Sequence, residues 1–412
     1  MPLRLILLGF GFLIVVCMLI LAQARTLVDL PKDPEFVRFM RRYDRRDNAA
    51  ERLPDHGQAV DRADRPIAIA EPGSTFQHVL DDLSLAVDGA DVKLSIDADL
   101  QAVAEQAMTN RLGAVVALEP ASGRIRALVS APRAAYLNRA LRGLYPPGST
   151  FKVWMAATAL SANLDPVFNC PAGGFIPSRG TKPIRDVEAA AAQRAGKKWK
   201  GFGRIGMETA LIHSSNVYFA QLGAAMGPDV FDAAITKSRF REAVTVLPAR
   251  SVSLEASECG VPEGLTAPQL APVGIGQGSL QMTPLAVAML TAAVANDGVL
   301  LQPTLSESAK PVLWSQPYTF AAALRVKEMM RGVVQRGTAR ACDLPGLDVC
   351  AKTGTAQTGK GRDHAWFTCF APMRRPRLVV TVLVEQGGFG AESALPVAKK
   401  VLLEAQRRGY FQ

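Results

Sequence analysis

A serine and a lysine three residues apart could supply a nucleophile and its base. Ser149 and Lys152 lie where a Pro-Gly loop meets an apolar segment at 153–160. If a helix begins there, Lys152 lies on the same face as Ser149, one turn later. A serine hydroxyl needs a base to take its proton, and a free lysine has a pKa of about 10.4, so the pKa of Lys152 would have to fall to near neutral. The spacing alone favours the alternative, an N-cap serine beside a surface lysine.

A second lysine is followed by hydroxyl side chains. Lys352, Thr353, Gly354 and Thr355 lie in a strand-like segment. Lys352 would supply a second cation, and a cation lowers the pKa of a nearby lysine. Thr353 and Thr355 share one face of a strand and can donate hydrogen bonds to a carboxylate, while a glycine would let a ligand backbone lie close. The alternative is an edge strand with a solvated lysine.

A third pair of polar residues precedes an apolar helix at 217–226. Ser214 and Asn216 would be a hydroxyl relay and an amide clamp. The same Ser-x-Asn spacing occurs at Ser161 and Asn163, where Asn163 is expected to end the helix that begins near the candidate nucleophile. We choose Ser214 because a catalytic loop has to enter the site from a separate element. The adjacent His213 is interpreted as a loop residue rather than a base.

Strand patterns at both ends of the chain enclose a helical middle. The sequence predicts a strand at 92–96, a helix from 98 to about 110 and a hairpin of 114–118 with 124–129. The segment 149–300 is mostly helical and includes a helix that starts after Thr283 and runs to Asn296. Strands at 347–355, 364–370 and 378–385 precede a closing helix at about 392–408. This order favours one α+β domain whose sheet joins both ends of the chain.

The first 24 residues predict a membrane anchor. Residues 5–22 are uncharged and apolar, which is about the minimum length for a helix that crosses ~30 Å of hydrocarbon. A cleaved signal peptide is the alternative, since 22–24 reads Ala-Gln-Ala, but the apolar run exceeds the usual ~7–15 residues of a signal core. Most basic residues near the segment follow it rather than precede it. Because positively charged flanks stay on the cytosolic side, charge alone would keep the part of the chain after residue 24 in the cytosol. Residues 25–90 are interpreted as a charged juxtamembrane linker or a reduced pedestal.

Composition and local patterns argue against a metal site, a nucleic-acid site and a phosphate-binding P-loop. The chain has 412 residues, a net charge of +10, six cysteines and four histidines. No C-x-x-C pair occurs, so we predict neither a zinc site nor any other metal or cofactor. Cys342 and Cys350 are either a bridge or two free thiols. The basic run at 197–200 is interpreted as a solvated loop and not a nucleic-acid site. A near P-loop at 354–360 lacks its final Ser/Thr and is followed by a strand rather than a helix.

The three motifs, taken in order, give the chain a family resemblance. Ser-x-x-Lys, Ser-x-Asn and Lys-Thr-Gly resemble the motifs of the penicillin-binding and serine β-lactamase superfamily. The stretches 145–152, 274–278 with 283–284, and 364–367 are similar to the transpeptidase domain of penicillin-binding proteins. The resemblance covers 91–412 and implies an antiparallel sheet packed with a helical subdomain. It also implies a monofunctional, class B-like protein, because about 66 residues between anchor and domain leave no room for a glycosyltransferase.

The resemblance implies a role for each motif residue. Ser149 would attack the D-Ala–D-Ala carbonyl of a stem peptide, release D-alanine and pass the acyl group to an amine of a neighbouring stem. Lys152 would be the base for acylation. Ser214, with Lys352 behind it, would pass a proton to the leaving amine. The resemblance leaves open which lysine acts at which step.

The remaining motif residues would bind the substrate. By the same resemblance, Asn216 would hold the donor amide, and Thr353, Gly354 and Thr355 would receive the terminal carboxylate. The backbone N–H groups of Ser149 and Thr355 would stabilise the oxyanion.

The resemblance also implies location and partners. The domain would face the periplasm from the cytoplasmic (inner) membrane and bind stem peptides and β-lactams, with a membrane glycan polymerase as a further candidate partner. The nearest alternatives are hydrolysis, as in a D,D-carboxypeptidase or β-lactamase, and a non-catalytic scaffold of wall synthesis. A base positioned for deacylation would distinguish hydrolysis from transfer, and the motifs do not reveal one.

Overall fold

The computed structural model describes residues 59–65, 92–132, 137–246, 254–359 and 361–412. The predicted anchor at 1–24 and most of the predicted linker at 25–90 lie outside these residues. Within the described part of the chain, no helix has both the length and the apolar character needed to cross a bilayer.

The described strands and helices have the following bounds. The strands are β1 (Ala59–Val60), β2 (Val92–Lys93), β3 (Gly113–Leu118), β4 (Ile125–Ala131), β5 (Phe168–Pro171), β6 (Gly201–Ile205), β7 (Val244–Val246), β8 (Leu254–Ala256), β9 (Leu300–Leu301), β10 (Leu313–Ser315), β11 (Cys350–Ala356), β12 (His364–Ala371) and β13 (Leu378–Val384). The helices are α1 (Ala98–Ala107), α2 (Arg139–Arg142), α3 (Lys152–Ser161), α4 (Val187–Arg194), α5 (Met207–His213), α6 (Asn216–Ser238), α7 (Ala267–Gly274), α8 (Pro284–Ala295), α9 (Phe320–Arg336), α10 (Gly390–Ser393) and α11 (Leu395–Arg407). Short 3-10 turns span Gly148–Phe151 and Arg340–Cys342.

The main sheet joins strands from both ends of the domain, as predicted. Its order is β11-β12-β13-β3-β4, and every neighbouring pair is antiparallel. The central strands β13 and β3 are buried on both faces, which explains their nearly continuous aliphatic sequence. The predicted α+β class is therefore confirmed.

Helices cover both faces of this sheet. On one face, α1 and α11 pack over the strands. On the other face, α8 is buried along its whole length and separates the sheet from the helical region that contains α3, α6 and α9. A helix that is apolar all round belongs in such an interior. Its predicted start is confirmed: the Thr283 hydroxyl accepts the N–H of Ala286, and Pro284 is the first helical residue.

Some predicted boundaries are wrong, and local backbone geometry explains why. Strand β11 begins at Cys350 rather than 347, because Asp348 has a positive φ of 43° and ends a turn. The predicted closing helix is divided into α10 and α11 at Ala394. The middle of the chain also contains two antiparallel strand pairs, β5–β6 and β7–β8, which were not predicted.

A piece of the predicted linker is attached to the domain. Strand β1 pairs in parallel with β2. Nη1 of Arg65 lies 3.0 Å from Oδ2 of Asp99 in α1, and Nζ of Lys93 lies 2.7 Å from Oδ2 of Asp64. Residues 59–65 therefore pack with the domain although they precede the predicted boundary at 91.

The other sequence features fit structural roles. Cys342 and Cys350 are free, buried thiols, so the predicted alternative of a bridge between them is wrong. Residues 354–356 belong to β11, so the near P-loop match begins inside a strand. The basic run at 197–200 has three exposed lysines in a loop before β6.

Candidate active site

Ser149 lies in a 3-10 turn rather than in the first turn of an α-helix. The turn spans Gly148–Phe151, and α3 begins at Lys152. Side chains three residues apart eclipse one another in a 3-10 helix, so Ser149 and Lys152 still lie on the same side. The Thr150 hydroxyl donates to the carbonyl of Pro147 over 2.7 Å, and the N–H of Gly148 donates to the carbonyl of Gly276 over 2.9 Å. These bonds fix the turn that carries Ser149.

Strand β11 lies directly against this turn, and glycines make the approach possible. A Cβ on Gly354 would lie 2.9 Å from Cγ2 of Thr150 and 2.8 Å from Cβ of Trp366. A Cβ on Gly148 would lie 2.6 Å from the carbonyl oxygen of Thr355. The side of Gly354 that was expected to admit a ligand backbone is therefore occupied by the nucleophile turn. The glycine serves the close packing of turn and strand.

Lys152 is fully buried, and its amine is held by neutral acceptors. Its Nζ donates to the carbonyl of Ser214 and to Oδ1 of Asn216, each over 2.7 Å. The Oγ of Ser214 lies 3.4 Å away. The Ser-x-x-Lys and Ser-x-Asn motifs therefore meet at one amine.

Ser214 also contacts the second lysine. Nζ of Lys352 donates to Oγ of Ser214 over 2.8 Å and to the carbonyl of Thr353 over 3.0 Å. Ser214 ends α5 in a left-handed conformation with φ of 59°, which is costly for a residue with a Cβ. By contrast, the hydroxyl of Ser161 accepts the backbone N–H of Thr319, so the second Ser-x-Asn match binds a different part of the fold.

Burial changes the proton affinity of both lysines. Loss of solvation lowers the pKa of Lys152 to about 7, although the negative charges of Asp186 and Glu188 oppose this. Loss of solvation, followed by the charge of Lys152, holds the pKa of Lys352 well below its ordinary value, while Glu188 again opposes. Near neutral pH the pair resists carrying two positive charges. The role of Lys352 as the second cation therefore depends on the charge of Lys152, a coupling that the spacing of the motifs does not report.

Asp186 is a site residue that the sequence analysis missed. Its Oδ1 accepts from the hydroxyl of Ser215 over 3.0 Å and from the N–H groups of Asn216 over 2.6 Å and Val217 over 3.0 Å. Its buried Oδ2 has no hydrogen-bond partner among the described residues. Asp186 thus holds the start of α6 and the loop that presents Ser214. No local pattern marks it, because 29 positions separate it from Ser215.

A threonine beside the Lys-Thr-Gly motif was also missed. The hydroxyls of Thr338 and Thr353 lie 2.6 Å apart. Thr338 follows the end of α9 and is exposed, whereas Thr353 is nearly buried. Since one hydroxyl of the pair donates to the other, the remaining proton is available to a ligand at this edge of the sheet.

We expect Asp186 to control the protonation of Lys152 as well as its position. Asp186→Asn removes the charge that raises the pKa of Lys152, so that pKa should fall further. The acidic limb of the pH profile of β-lactam acylation, near pH 7 in the wild type, should move to lower pH. Asp186→Ala should instead lose about 3 kcal/mol of stability, since three donors lose their acceptor.

Stopped-flow acylation between pH 5 and 9 and thermal unfolding measure these two effects. Asp232→Asn is the matched control, because Asp232 pairs with Arg241 at a half-exposed site. An unchanged acidic limb in Asp186→Asn would contradict the electrostatic role.

Comparison with known proteins identifies the family. Residues 113–403 match the penicillin-binding protein transpeptidase domain. This chain belongs to the penicillin-binding protein transpeptidase family. It is similar to the peptidoglycan D,D-transpeptidase PbpA of Mycobacterium tuberculosis, with 30% identity over 404 residues that cover 85% of this chain and 80% of the relative.

Solved structures of penicillin-binding transpeptidases share the fold. The D,D-transpeptidase domain from Eggerthella lenta superposes with a TM-score of 0.73 at 27% identity and covers 86% of this chain and 99% of that one. The ceftriaxone acyl-enzyme of penicillin-binding protein A from M. tuberculosis gives 0.68 at 27% identity, covering 80% and 83%. This member of the family is accordingly a serine-type, penicillin-binding D,D-transpeptidase.

Proposed function

We propose that this transpeptidase uses Ser149 as its nucleophile, cross-links peptidoglycan stem peptides and releases D-alanine. One observation carries the proposal: the three motifs meet around a buried amine. Nζ of Lys152 donates to the carbonyl of Ser214 and to Oδ1 of Asn216, and Nζ of Lys352 donates to the hydroxyl of the same Ser214. A surface lysine, which the spacing alone favoured, would make no such contacts.

Neutral Lys152 has the hydrogen-bond arrangement of a base. An uncharged amine has two N–H donors and one lone pair. Two short bonds, to the carbonyl of Ser214 and to Oδ1 of Asn216, occupy both donors. The lone pair is then left to accept the proton of Ser149 as its oxygen attacks the donor carbonyl. A pKa near 7 keeps a large share of the amine neutral at the working pH.

Ser214 and Lys352 provide a route to the leaving amine. Lys352 donates to Oγ of Ser214, which leaves the Ser214 proton free to move onward. An incoming carboxylate near Thr353 and Thr355 would favour the charged form of Lys352, because an opposite charge raises the pKa of a buried lysine. Substrate binding would in this way keep Lys352 protonated, so that it can replace the proton that Ser214 passes to the leaving amine. The backbone N–H groups of Ser149 and Thr355 would receive the oxyanion.

The predicted anchor, linker and cellular location complete the proposal. Residues 1–24 would anchor the chain in the cytoplasmic membrane, 25–90 would connect the anchor, and 91–412 would act in the periplasm. The apolar run at 5–22 and the extracytoplasmic location of peptidoglycan support this arrangement. A glycan polymerase in the same membrane would supply the strands to be joined.

Turnover of a stem-peptide thioester tests transfer against hydrolysis. With the thioester alone we expect slow hydrolysis. When a D-amino-acid amide is added as acceptor, we expect the product of acyl transfer to its amine to dominate over the hydrolysis product. Liquid chromatography with mass detection measures the ratio of the two products, and exclusive hydrolysis at every amine concentration would favour a carboxypeptidase.

A further inference from the structure

The segment 175–204, which follows β5 and extends into β6, concentrates positive charge; we call it the basic segment. It contains eight lysine and arginine residues and two acidic residues, so it supplies +6 of the chain's net charge of +10. The cations that precede α4 are Arg179, Lys182 and Arg185. The other five are Arg194, Lys197, Lys198, Lys200 and Arg204. All eight residues are exposed.

Acidic groups of the protein do not neutralise these cations. None of the eight forms an ion pair within the described part of the chain. Some other exposed arginines are paired, as Arg239 is with Glu242. Of the two acidic residues in the basic segment, Asp186 is buried, and its Oδ1 accepts from the loop at 215–217. The positive charge at this surface is therefore available to a ligand.

The basic segment contacts both sides of the loop that presents Ser214. On one side, Nδ2 of Asn216 donates to the carbonyl of Arg185 over 3.0 Å. On the other side, the ring of His213, the residue before Ser214, has its centroid 5.5 Å from that of Phe202 in β6. The exposed cations near these two contacts therefore border the candidate active site.

The distribution of the cations suits an extended anion. They lie before α4, in its last turn, in the loop that follows and in β6. A single sign of charge that is spread over a surface attracts a polyanion. Each stem peptide ends in a carboxylate, so a peptidoglycan strand with many stems is such a polyanion, and its stems have to reach Ser149. An anionic bilayer on the same cations would lie against the loop that presents Ser214 and compete with the substrate, so the basic segment fits the strand better.

We propose that the basic segment binds the carboxylates of a peptidoglycan strand and guides its stem peptides to Ser149. This inference rests on the proposed function, because that function makes the strand the substrate. The cations act on the strand before the reaction, so they lower the KM for a polymeric strand. The chemical step at Ser149 does not depend on them.

Binding of a fluorescent peptidoglycan strand tests this surface. The full chain in detergent is first acylated with penicillin, so that Ser149 does not turn the strand over, and fluorescence anisotropy then gives the Kd. One variant combines Lys197→Gln, Lys198→Gln and Lys200→Gln. We expect its Kd to be roughly tenfold higher, because three exposed charge contacts are lost and each contributes about twofold. The wild-type Kd should rise between about 50 and about 200 mM salt, and the Kd of the variant should rise less steeply.

Matched controls separate this surface from general effects of charge. A variant that combines Arg374→Gln, Arg375→Gln and Arg377→Gln removes the same charge from exposed positions in the turn between β12 and β13, and it should bind the strand like the wild type. A strand whose stem carboxylates have been converted to amides should bind the wild type and the lysine variant equally. Both variants should turn over a single-stem thioester at the wild-type rate, because the chemical step is unchanged.

Three outcomes would overturn the inference. The first is an equal Kd in the wild type and the lysine variant, and the second is an equal loss in the lysine and arginine variants. The third is tighter binding of phosphatidylglycerol vesicles than of the strand through the same lysines, which would assign the surface to a membrane. A wild type that penicillin does not acylate would instead overturn the proposed function itself.

Discussion

Ser149→Ala should abolish covalent capture of penicillin. The hydroxyl oxygen forms the acyl bond, and we do not expect Ser214 to replace it, because its Oγ accepts hydrogen bonds from Nζ of Lys352 and, at 3.4 Å, from Nζ of Lys152. Loss of a covalent nucleophile reduces turnover by a factor on the order of 10⁴ or more. Intact-protein mass spectrometry after incubation with penicillin should show the adduct mass in wild type and none in the variant.

The matched control for this substitution is Ser161→Ala. Ser161 belongs to the second Ser-x-Asn match, and its hydroxyl accepts a backbone N–H at the start of α9. This variant should be labelled like the wild type. An adduct that persists in Ser149→Ala would remove Ser149 as the nucleophile.

Lys152→Met should lose acylation while the protein remains folded. Methionine fills a similar buried volume but has no lone pair to take the proton of Ser149. We expect acylation to slow by about 10³-fold, within the range of general-base catalysis. Stopped-flow fluorescence with a labelled penicillin measures this rate. A normal acylation rate would exclude Lys152 as the base.

The same variant should change how stability depends on pH. The folded pKa of Lys152, about 7, lies below its unfolded value of about 10.4, so the unfolded chain binds more protons between these values. Wild-type stability should therefore rise with pH from about 7 to 10, and the penalty of burying the charge is fully present below pH 7. Lys152→Met should show a smaller rise, because, of the two buried lysines of the site, only Lys352, whose pKa is also lowered, then contributes. Lys327→Met is the control, because Lys327 is also buried but is paired with Asp297. It should destabilise the fold and still acylate. A slope in Lys152→Met as steep as that of the wild type would contradict the assignment.

The sequence by itself determined the class of fold and the order of its elements. The apolar segments predicted as strands at 114–118, 364–370 and 378–385 correspond to β3, β12 and β13, and the Thr283–Pro284 start marks α8. These features are local, because each depends on the side chains of one segment. The motif residues were found for the same reason: Ser-x-x-Lys and Lys-Thr-Gly are short patterns whose residue types imply a chemistry.

Tertiary structure decided what these residues can do. The pKa of Lys152 depends on burial among α3, α5 and α6, which no spacing along the chain reports. The selection of Ser214 over Ser161 depends on which serine approaches the two lysines. Asp186 and Glu188 act on the site through folding of the segment at 185–188 against α6. Hydrogen bonds and charges act through space, so residues distant in sequence become one site only after the chain has packed.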